Sequence, residues 1–377
     1  MLYISLLYVI YRIFDFIVSY FSPNFLPFLS NFSYPTALQK INLPLFIKSF
    51  ANFDGIFYLR IAKQSYSQFE HAFFPLFPIL INKLSFIFNN NLFITGFVIS
   101  NLCFLLGLLI FKKYLDKILK NKKAVFWTLL FFIFFPTSFF FGSVYTEGLF
   151  FLFAALVFYL LDIKKGFLAA IVSVLASLTR FVGIFLFIPF LFYSFSKSNK
   201  KQQIKLWFYS LFPFIGLVIY SIYLKLTIND PFAFFTSQEA FQAGRSTKLI
   251  LFPQVIYRYI KIFLTADWNF QYFVAILEFL FFVFFITILT VQLYKLIKEK
   301  IKNIPLLSLS TFSLINLLIP TATGTFLSIP RFSLLSLSVF IFLGMLKNKW
   351  VKILLLTLFI FLHIILLMFF IRGYFIA

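Results

Sequence analysis

Apolar runs of about 20 residues repeat along the whole chain, and residues 353–370 form the clearest example. A helix of this length crosses the hydrocarbon core of a bilayer. Hydrophobic residues make up 62% of the chain and the mean hydropathy is +0.99, which leaves too little polar surface for a soluble fold. The alternating pattern of membrane β-barrels is absent. We therefore predict an all-α, polytopic helical membrane bundle that forms a single domain, residues 1–377.

The basic residues account for the formal charge of +22 without a nucleic-acid partner. They gather in short connections between apolar runs, at residues 112–123, 164–165, 197–205, 295–302 and 347–349. Lys and Arg are enriched in cytoplasmic loops, so we place these connections in the cytoplasm. Nucleic-acid binding is not expected, because the charges form no patch on a soluble domain. Cys103 stands alone within an apolar run, which excludes a disulfide framework and a thiol metal site.

The apolar runs and the basic connections together predict about eleven spans with the N-terminus inside. The predicted spans are residues 1–21, 92–111, 124–141, 144–161, two short helices within 166–195, 206–226, 271–294, 304–320, 331–346 and 351–370. The first run lacks a small-residue cleavage site, so we expect a retained anchor. Arg12 and Asp15 lie three residues apart on one face of this run, and we expect them to pair with each other.

Two long connections are predicted to lie outside, residues 22–91 and residues 227–270, separated by the spans of 92–226 and followed by those of 271–377. The first is rich in proline, and its apolar segments at 43–50 and 73–88 are short or interrupted. Such segments suit helices that lie in the membrane interface. We expect the first loop to carry the chemistry of the protein.

Ionisable side chains from distant parts of the chain are predicted to meet at this outer face. The chain has 11 acidic residues, so the position of each acid carries information. A transporter would more naturally place such groups at the bilayer midplane. The set is Asp54, Arg60, Glu70 and His71 in the first loop, Tyr145, Glu147, Thr179, Arg180 and Arg331 near span ends, and Asp230, Glu239, Arg245 and Asp267 in the second loop.

Several of these residues also have an ordinary structural explanation. Asp54 precedes an apolar run and could cap a helix. Glu147 suits the N-terminus of a span because it complements the helix dipole. Arg180 and Arg331 lie beside span ends, where arginine side chains often snorkel towards water.

The remaining candidates are the loop residues Glu70, His71 and Arg60 and the histidine of the last run. Glu70 and Arg60 could simply be solvated, and His71 could lie at the interface without a role. His363 lies in the middle of an apolar run, which is typical of a packed and hydrogen-bonded core histidine.

Five stretches of the sequence, taken in order, resemble the motifs of one membrane enzyme family. They read FDGIFYLRIAKQSY, EHAFFPLFP, FPTSFFFGSVYTEGLFF, ASLTRFVGI and TGTFLSIPRF, and they extend from residue 53 to residue 332. In this order they resemble the glycosylphosphatidylinositol mannosyltransferase II family and its bacterial relatives, which belong to the glycosyltransferase-C superfamily. That family usually has Trp where this chain has Phe53.

The resemblance implies an inverting transferase at the extracytoplasmic face of a bacterial inner membrane. It would move a sugar, most often mannose, from a polyprenyl-phosphate carrier to a hydroxyl group of a lipid or glycan. A phosphate leaving group needs no proton, unlike the alkoxide that leaves in a glycosidase. One carboxylate can therefore act as the base while cations stabilise the departing phosphate.

Within this resemblance, Asp54 matches the general base and Glu70 is a second acid that orients the acceptor or the base. His71, Arg180 and Arg331 are expected to contact the donor phosphate. The other expected substrate-binding residues are Tyr145, Glu147 and Arg60. Asp54 and Glu70 have the oxygen ligands for a divalent metal, although a base-only mechanism needs none. Expected partners are the lipid-linked donor, the acceptor and the bilayer.

Two other classes of function stay open from the sequence. A flippase or transporter for a polyprenyl-linked glycan would share the hydrophobicity and the basic residues. A non-catalytic membrane scaffold would share the hydrophobicity and would depend on no outer acid. The substitution Asp54→Asn discriminates between these classes, because only the transferase is expected to need that carboxylate for turnover.

Overall fold

The apolar runs form α-helices in the structure, a computed structural model that describes residues 2–29, 35–196, 199–238, 246, 248–298 and 303–376. No strand occurs within these ranges, so the predicted all-α class is confirmed. The predicted outer-loop residues Glu239 and Arg245 lie outside the described residues, as do parts of the basic connections 197–205 and 295–302. The helices are α1 (Leu2–Phe21), α2 (Pro35–Gln39), α3 (Leu45–Lys48), α4 (Asp54–Gln64), α5 (Leu76–Leu84), α6 (Leu92–Leu119), α7 (Lys122–Ile133), α8 (Glu147–Asp162), α9 (Gly166–Thr179), α10 (Phe187–Phe195), α11 (Lys200–Tyr209), α12 (Phe212–Ile228), α13 (Ala233–Thr236), α14 (Phe252–Thr265), α15 (Phe270–Lys298), α16 (Ile304–Thr321), α17 (Ile329–Phe332), α18 (Leu337–Met345) and α19 (Lys349–Ile371).

Six helical segments in the described ranges are long and apolar enough to cross a membrane. They are Leu2–Asn24, Leu92–Leu119, Lys200–Ile228, Phe270–Lys298, Ile304–Thr321 and Lys349–Ile371. The other predicted spans correspond to shorter helices that pack among these six. The total of about eleven spans therefore stays a prediction, as does the placement of the short outer helices in the membrane interface.

Asparagine side chains begin several of the long helices. In each case the amide oxygen accepts a hydrogen bond from a backbone N–H of the first turn, which has no partner within the helix. The capping residues are Asn91 for α6, Asn121 for α7, Asn199 for α11, Asn303 for α16 and Asn348 for α19. Four of these five caps lie beside the predicted cytoplasmic lysine clusters, so the short basic connections have sharply defined helix starts.

Two predicted spans are wrong in their helical extent, and proline and serine explain both. In the span predicted at 124–141, the α-helix ends at Ile133, three residues before Pro136. The chain then forms a 3₁₀ turn over Ser138–Gly142. The span predicted at 331–346 is divided into α17, a 3₁₀ turn over Ser333–Leu335 and α18. There, the Ser333 hydroxyl bonds to the nearby Pro330 carbonyl and competes with regular helix, and the Ser336 hydroxyl bonds to the Ser313 carbonyl of α16. The predicted pair of short helices within 166–195 is confirmed, with the break at Arg180.

The first and last helices are joined by a polar network inside the bundle. Arg12 Nη1 lies 2.6 Å from Asp15 Oδ2, which confirms the predicted pairing within α1. His363 of α19 lies between Asp15 Oδ1, 2.8 Å from Nε2, and the carbonyl oxygen of Phe135, 3.1 Å from Nδ1. Asp15 and His363 are fully buried, so the expectation of a hydrogen-bonded core histidine is confirmed.

Helix packing brings the irregular segments together at one end of the bundle. α6 packs on α8, α8 on α9 and α9 on α12, while α7 packs on α18 and α16 packs on α10. The segment between α7 and α8 is buried from Thr137 onwards, and its Val144 carbonyl lies against Gly55 at the start of α4. The backbone N–H of Val144 there donates to the carbonyl of Phe50 at 2.9 Å. The irregular segment that follows α7 therefore adjoins the first loop.

Candidate active site

The start of α4 holds Asp54 in a constrained position. Phe53, the preceding residue, has φ 57° and ψ −116°, a conformation that a residue with a large side chain rarely adopts. Its ring packs on Phe370 and Phe375, with centroids 6.0 and 5.3 Å away. Phe53 is the N-cap and makes no side-chain cap hydrogen bond, while Asp54 is the first helical residue. The helix-cap explanation for Asp54 is therefore not the one that the structure shows.

Two acids and two arginines meet in one network. Arg331 Nη1 lies 2.6 Å from Asp54 Oδ2, and Arg331 Nε lies 3.6 Å from Glu147 Oε1. Arg180 Nη1 donates to the same Glu147 oxygen. Asp54 retains 27% of its side-chain exposure, whereas Glu147 and both arginines are largely buried. Neither arginine is a snorkelling anchor, because both guanidinium groups point into this network.

Aromatic rings hold the guanidinium of Arg331 in place. It lies 5.5 Å from the ring centroids of Phe140, Tyr145 and Phe332, close enough for cation–π attraction. The Tyr145 hydroxyl donates to the carbonyl of Asn52 at 2.7 Å. Tyr145 therefore links the backbone before Asp54 to the arginine that pairs with it. We infer a supporting position for Tyr145, since its ring does not line the cavity described next.

A cavity of about 760 Å³ opens beside the network and has two chemically different parts. Asp54, Glu147, Arg180 and Arg331 form its polar wall. The rest of the lining is mainly apolar and includes Phe57, Phe73, Phe74, Phe181, Phe234 and Leu327. Such a shape suits an amphiphilic molecule with a polar end beside the network and an apolar body along the aromatic wall.

Tyr58 and Thr146 also line the cavity, and neither was assigned a role from the sequence. The Tyr58 and Thr146 hydroxyls lie 3.4 Å apart, and Arg180 Nη1 donates to Thr146 Oγ1 at 3.4 Å. Burial raises the pKa of Tyr58, and the carboxylates of Asp54 and Glu147 raise it further. Its phenol is therefore a neutral donor at physiological pH. Both residues lie within the motif stretches, and this position was the indication in the sequence that they belong to the site.

Glu70, Arg60 and His71 form a separate group that does not line the cavity. Glu70 Oε1 lies 3.0 Å from Arg60 Nη1, and Glu70 Oε2 accepts from the backbone N–H of Ser67 at 2.9 Å. This pair of a buried carboxylate and a partly exposed guanidinium anchors the turn before α5. Glu70 is only 1% exposed, so it is not a solvated loop acid. The structure therefore does not bring Glu70 or Arg60 to the polar wall that contains Asp54.

The ring of His71 stacks on Tyr66, with centroids 5.2 Å apart and planes inclined by 14°. Burial lowers the pKa of His71, and the Asp230 carboxylate offsets part of this effect. The imidazole is consequently neutral at pH 7 and adds no fixed positive charge. Its backbone carbonyl accepts from the Tyr220 hydroxyl at 2.8 Å, which ties the first loop to α12.

The acids that the structure describes do not assemble a metal site. No group of three or more His, Cys, Asp or Glu side chains suited to a metal ion occurs in the described ranges. Asp54 pairs with Arg331 and lines the cavity, whereas Glu70 pairs with Arg60 and does not. The two carboxylates named as candidate ligands therefore do not converge on the cavity as shared oxygen ligands would. The sequence left a divalent metal open, since a base-only mechanism needs none, and that question stays untested.

The fold is similar to that of a much longer solved enzyme. No protein-family model and no curated protein matches the chain. The crystal structure of the oligosaccharyltransferase of Archaeoglobus fulgidus, tethered by a disulfide bond to an acceptor peptide containing the NVT sequon, matches with a TM-score of 0.52 and 11% identity. The match covers 97% of this chain and 55% of the archaeal chain, so this chain spans about half the length of that protein. At 11% identity, the likeness shows that the two proteins share a helical fold.

Proposed function

We propose that the chain is an inverting membrane glycosyltransferase that moves a sugar from a polyprenyl-phosphate carrier to a hydroxyl group of a lipid or glycan. The observation that carries this proposal is the position of Asp54, an acid exposed to a large, mainly apolar cavity and paired with an arginine. The cavity offers an apolar wall for the carrier and a polar wall for the reacting groups. The glycosyltransferase-C fold is consistent with this assignment. Mannose is the proposed sugar on the resemblance of the motifs alone.

Asp54 acts as the general base in this proposal. Its Oδ2 is held by Arg331, while Oδ1 has no hydrogen-bond partner among the described residues and is available to an acceptor hydroxyl. As the hydroxyl oxygen forms a bond to the anomeric carbon, its proton passes to Asp54. The bond from that carbon to the phosphate oxygen breaks, and the polyprenyl phosphate leaves with the electron pair. The phosphate is a stable anion, so no second carboxyl group has to protonate it.

Arg331, Glu147 and Arg180 prepare the polar wall for this step. Arg331 orients the base, and Glu147 holds both guanidinium groups at fixed positions. Because these groups are set before substrate enters, their reorganisation adds little to the barrier. We place the cavity at the extracytoplasmic face, following the distribution of basic connections. A flippase or transporter would use the same cavity for passage and would not need Asp54 as a base.

The test is sugar transfer by proteoliposomes supplied with radiolabelled polyprenyl-phosphate mannose and a lipid extract as acceptor. We expect Asp54→Asn to lower the transfer rate by about 10²- to 10⁴-fold, the usual contribution of general-base catalysis. Asp267→Asn is the matched control, because Asp267 is exposed and has no ion pair among the described residues. Equal transfer by the natural protein and Asp54→Asn would remove Asp54 from the mechanism. Carriers of glucose and arabinose test the sugar.

A further inference from the structure

The four charges of the polar wall cancel one another. Asp54 and Glu147 carry two negative charges, and Arg180 and Arg331 carry two positive charges, each guanidinium being in contact with a carboxylate. A phosphate group that enters the cavity therefore meets a neutral network. A positive charge beyond those already paired adds long-range attraction for an anion that the neutral network lacks.

Lys248 supplies that charge. It lies in the segment between α13 and α14, lines the same cavity and is exposed. No ion pair to Lys248 occurs within the described part of the chain, unlike the two arginines. Among the described Lys, Arg, Asp and Glu side chains of the cavity wall, Lys248 changes the net charge from zero to +1.

Backbone hydrogen bonds fix the segment of Lys248 against the turn that precedes Arg331. The N–H of Ser246 donates to the carbonyl of Thr323 at 2.9 Å, and the N–H of Ile250 donates to the carbonyl of Ala322 at 3.0 Å. The N–H of Lys248 donates to Ser246 Oγ at 3.0 Å. The segment of Lys248 is therefore bonded to the turn that leads to Arg331, the arginine that orients the proposed base.

We propose that Lys248 is the anion anchor of the cavity and binds the phosphate group of a polyprenyl-phosphate ligand. A lysine ammonium binds phosphate as a point charge and donates up to three hydrogen bonds. The aromatic wall then receives the isoprenoid chain, which ties the phosphate site to a lipid and not to a free anion. This inference rests on the proposed function, since it names a binding residue for the carrier of that reaction.

The test is binding and not turnover, so it is independent of the reaction. Purified protein in phosphatidylcholine nanodiscs is titrated with citronellyl phosphate, citronellol and inorganic phosphate. We expect Lys248→Gln to weaken citronellyl phosphate binding by about fivefold or more and to leave citronellol binding unchanged. Lys248→Arg should restore most of the affinity. Lys261→Gln, at an exposed lysine of α14, is the matched control and should bind like the natural protein.

Each contrary outcome overturns a different statement. Unchanged citronellyl phosphate affinity in Lys248→Gln would overturn the anchor, whatever the transfer activity. Inorganic phosphate binding as tightly as citronellyl phosphate would overturn the assignment to a lipid. Binding that depends on Lys248, in a protein that transfers no sugar from any polyprenyl-phosphate carrier, would support the anchor and reject the proposed reaction.

Discussion

Arg331 contacts two carboxylates through two different nitrogen atoms. Nη1 reaches Asp54 and Nε faces Glu147, so the planar guanidinium sets the separation of the two acids. Lysine has the same charge on a single ammonium group and lacks this fork. The arrangement of Asp54 and Glu147 around residue 331 therefore depends on the shape of the arginine side chain as well as on its charge.

The substitution Arg331→Lys tests this dependence on shape. We expect the transfer rate to fall by about 10- to 100-fold, because the ammonium cannot hold Asp54 and Glu147 together while charge is retained. The measurement is the transfer rate at saturating donor, corrected for the amount of folded protein in the membrane. A natural rate in Arg331→Lys would show that positive charge alone suffices.

At the scale of elements, the turn between α16 and α17 depends on two neighbouring helices. The Tyr259 hydroxyl of α14 donates to Glu278 Oε2 of α15 at 2.6 Å and accepts from the N–H of Phe326 at 3.1 Å. Glu278 Oε1 accepts from the N–H of Ser328 at 3.2 Å. Ser328 has φ 67°, so the turn is locally strained and needs these bonds. Through them, α14 and α15 position the helix that presents Arg331.

The substitution Tyr259→Phe removes the hydroxyl from this arrangement. We expect amide hydrogen exchange across residues 322–332 to become about tenfold faster, since each lost hydrogen bond costs on the order of 1 kcal/mol. Transfer should fall in parallel, because Arg331 follows the turn directly. Tyr257→Phe is the matched control on the same helix, with a side chain that is 65% exposed. Amide exchange in Tyr259→Phe that is as slow as in Tyr257→Phe would show that the turn does not depend on the Tyr259 hydroxyl.

At the scale of the whole molecule, the contact between α1 and α19 closes the bundle. Asp15 and His363 are 348 residues apart in sequence and fully buried, and their side chains contact each other at 2.8 Å. Asp15 also binds Arg12, so it keeps one partner when the histidine is removed. Removal of His363 should therefore cost less than the full loss of a buried ion pair.

We expect His363→Leu to lower the free energy of unfolding by about 1–3 kcal/mol, because one oxygen of Asp15 loses its partner inside the bundle. The measurement is unfolding in mixed micelles with increasing sodium dodecyl sulfate. Phe361→Leu is the matched control, since its side chain faces outward from the same helix and is 59% exposed. Equal unfolding curves for the two variants would mean that this contact does not stabilise the closure.

The sequence by itself determined the helical class, most helix positions and the four candidate residues that meet at the polar wall. Hydrophobicity over about 20 residues is a local property, and so are asparagine caps and proline breaks. The motif stretches named Asp54, Glu147, Arg180 and Arg331 before any contact was known. The predicted span at 124–141 missed the break at Pro136, and the irregular backbone beyond that proline is held by a distant segment, through the bond from the Val144 N–H to the Phe50 carbonyl.

Only the tertiary structure decided which acid meets which arginine. Asp54 and Glu70 lie in one loop, yet Asp54 pairs with Arg331, which is 277 residues away, and Glu70 pairs with Arg60. Lys248 belongs to no motif and reaches the cavity through hydrogen bonds to another loop. Ion pairs and cavities arise from the packing of helices that are far apart in sequence. Residue type and spacing do not specify that packing. Only the fold therefore shows that Asp54 lies in the polar wall, whereas Glu70 and Arg60 form a separate pair.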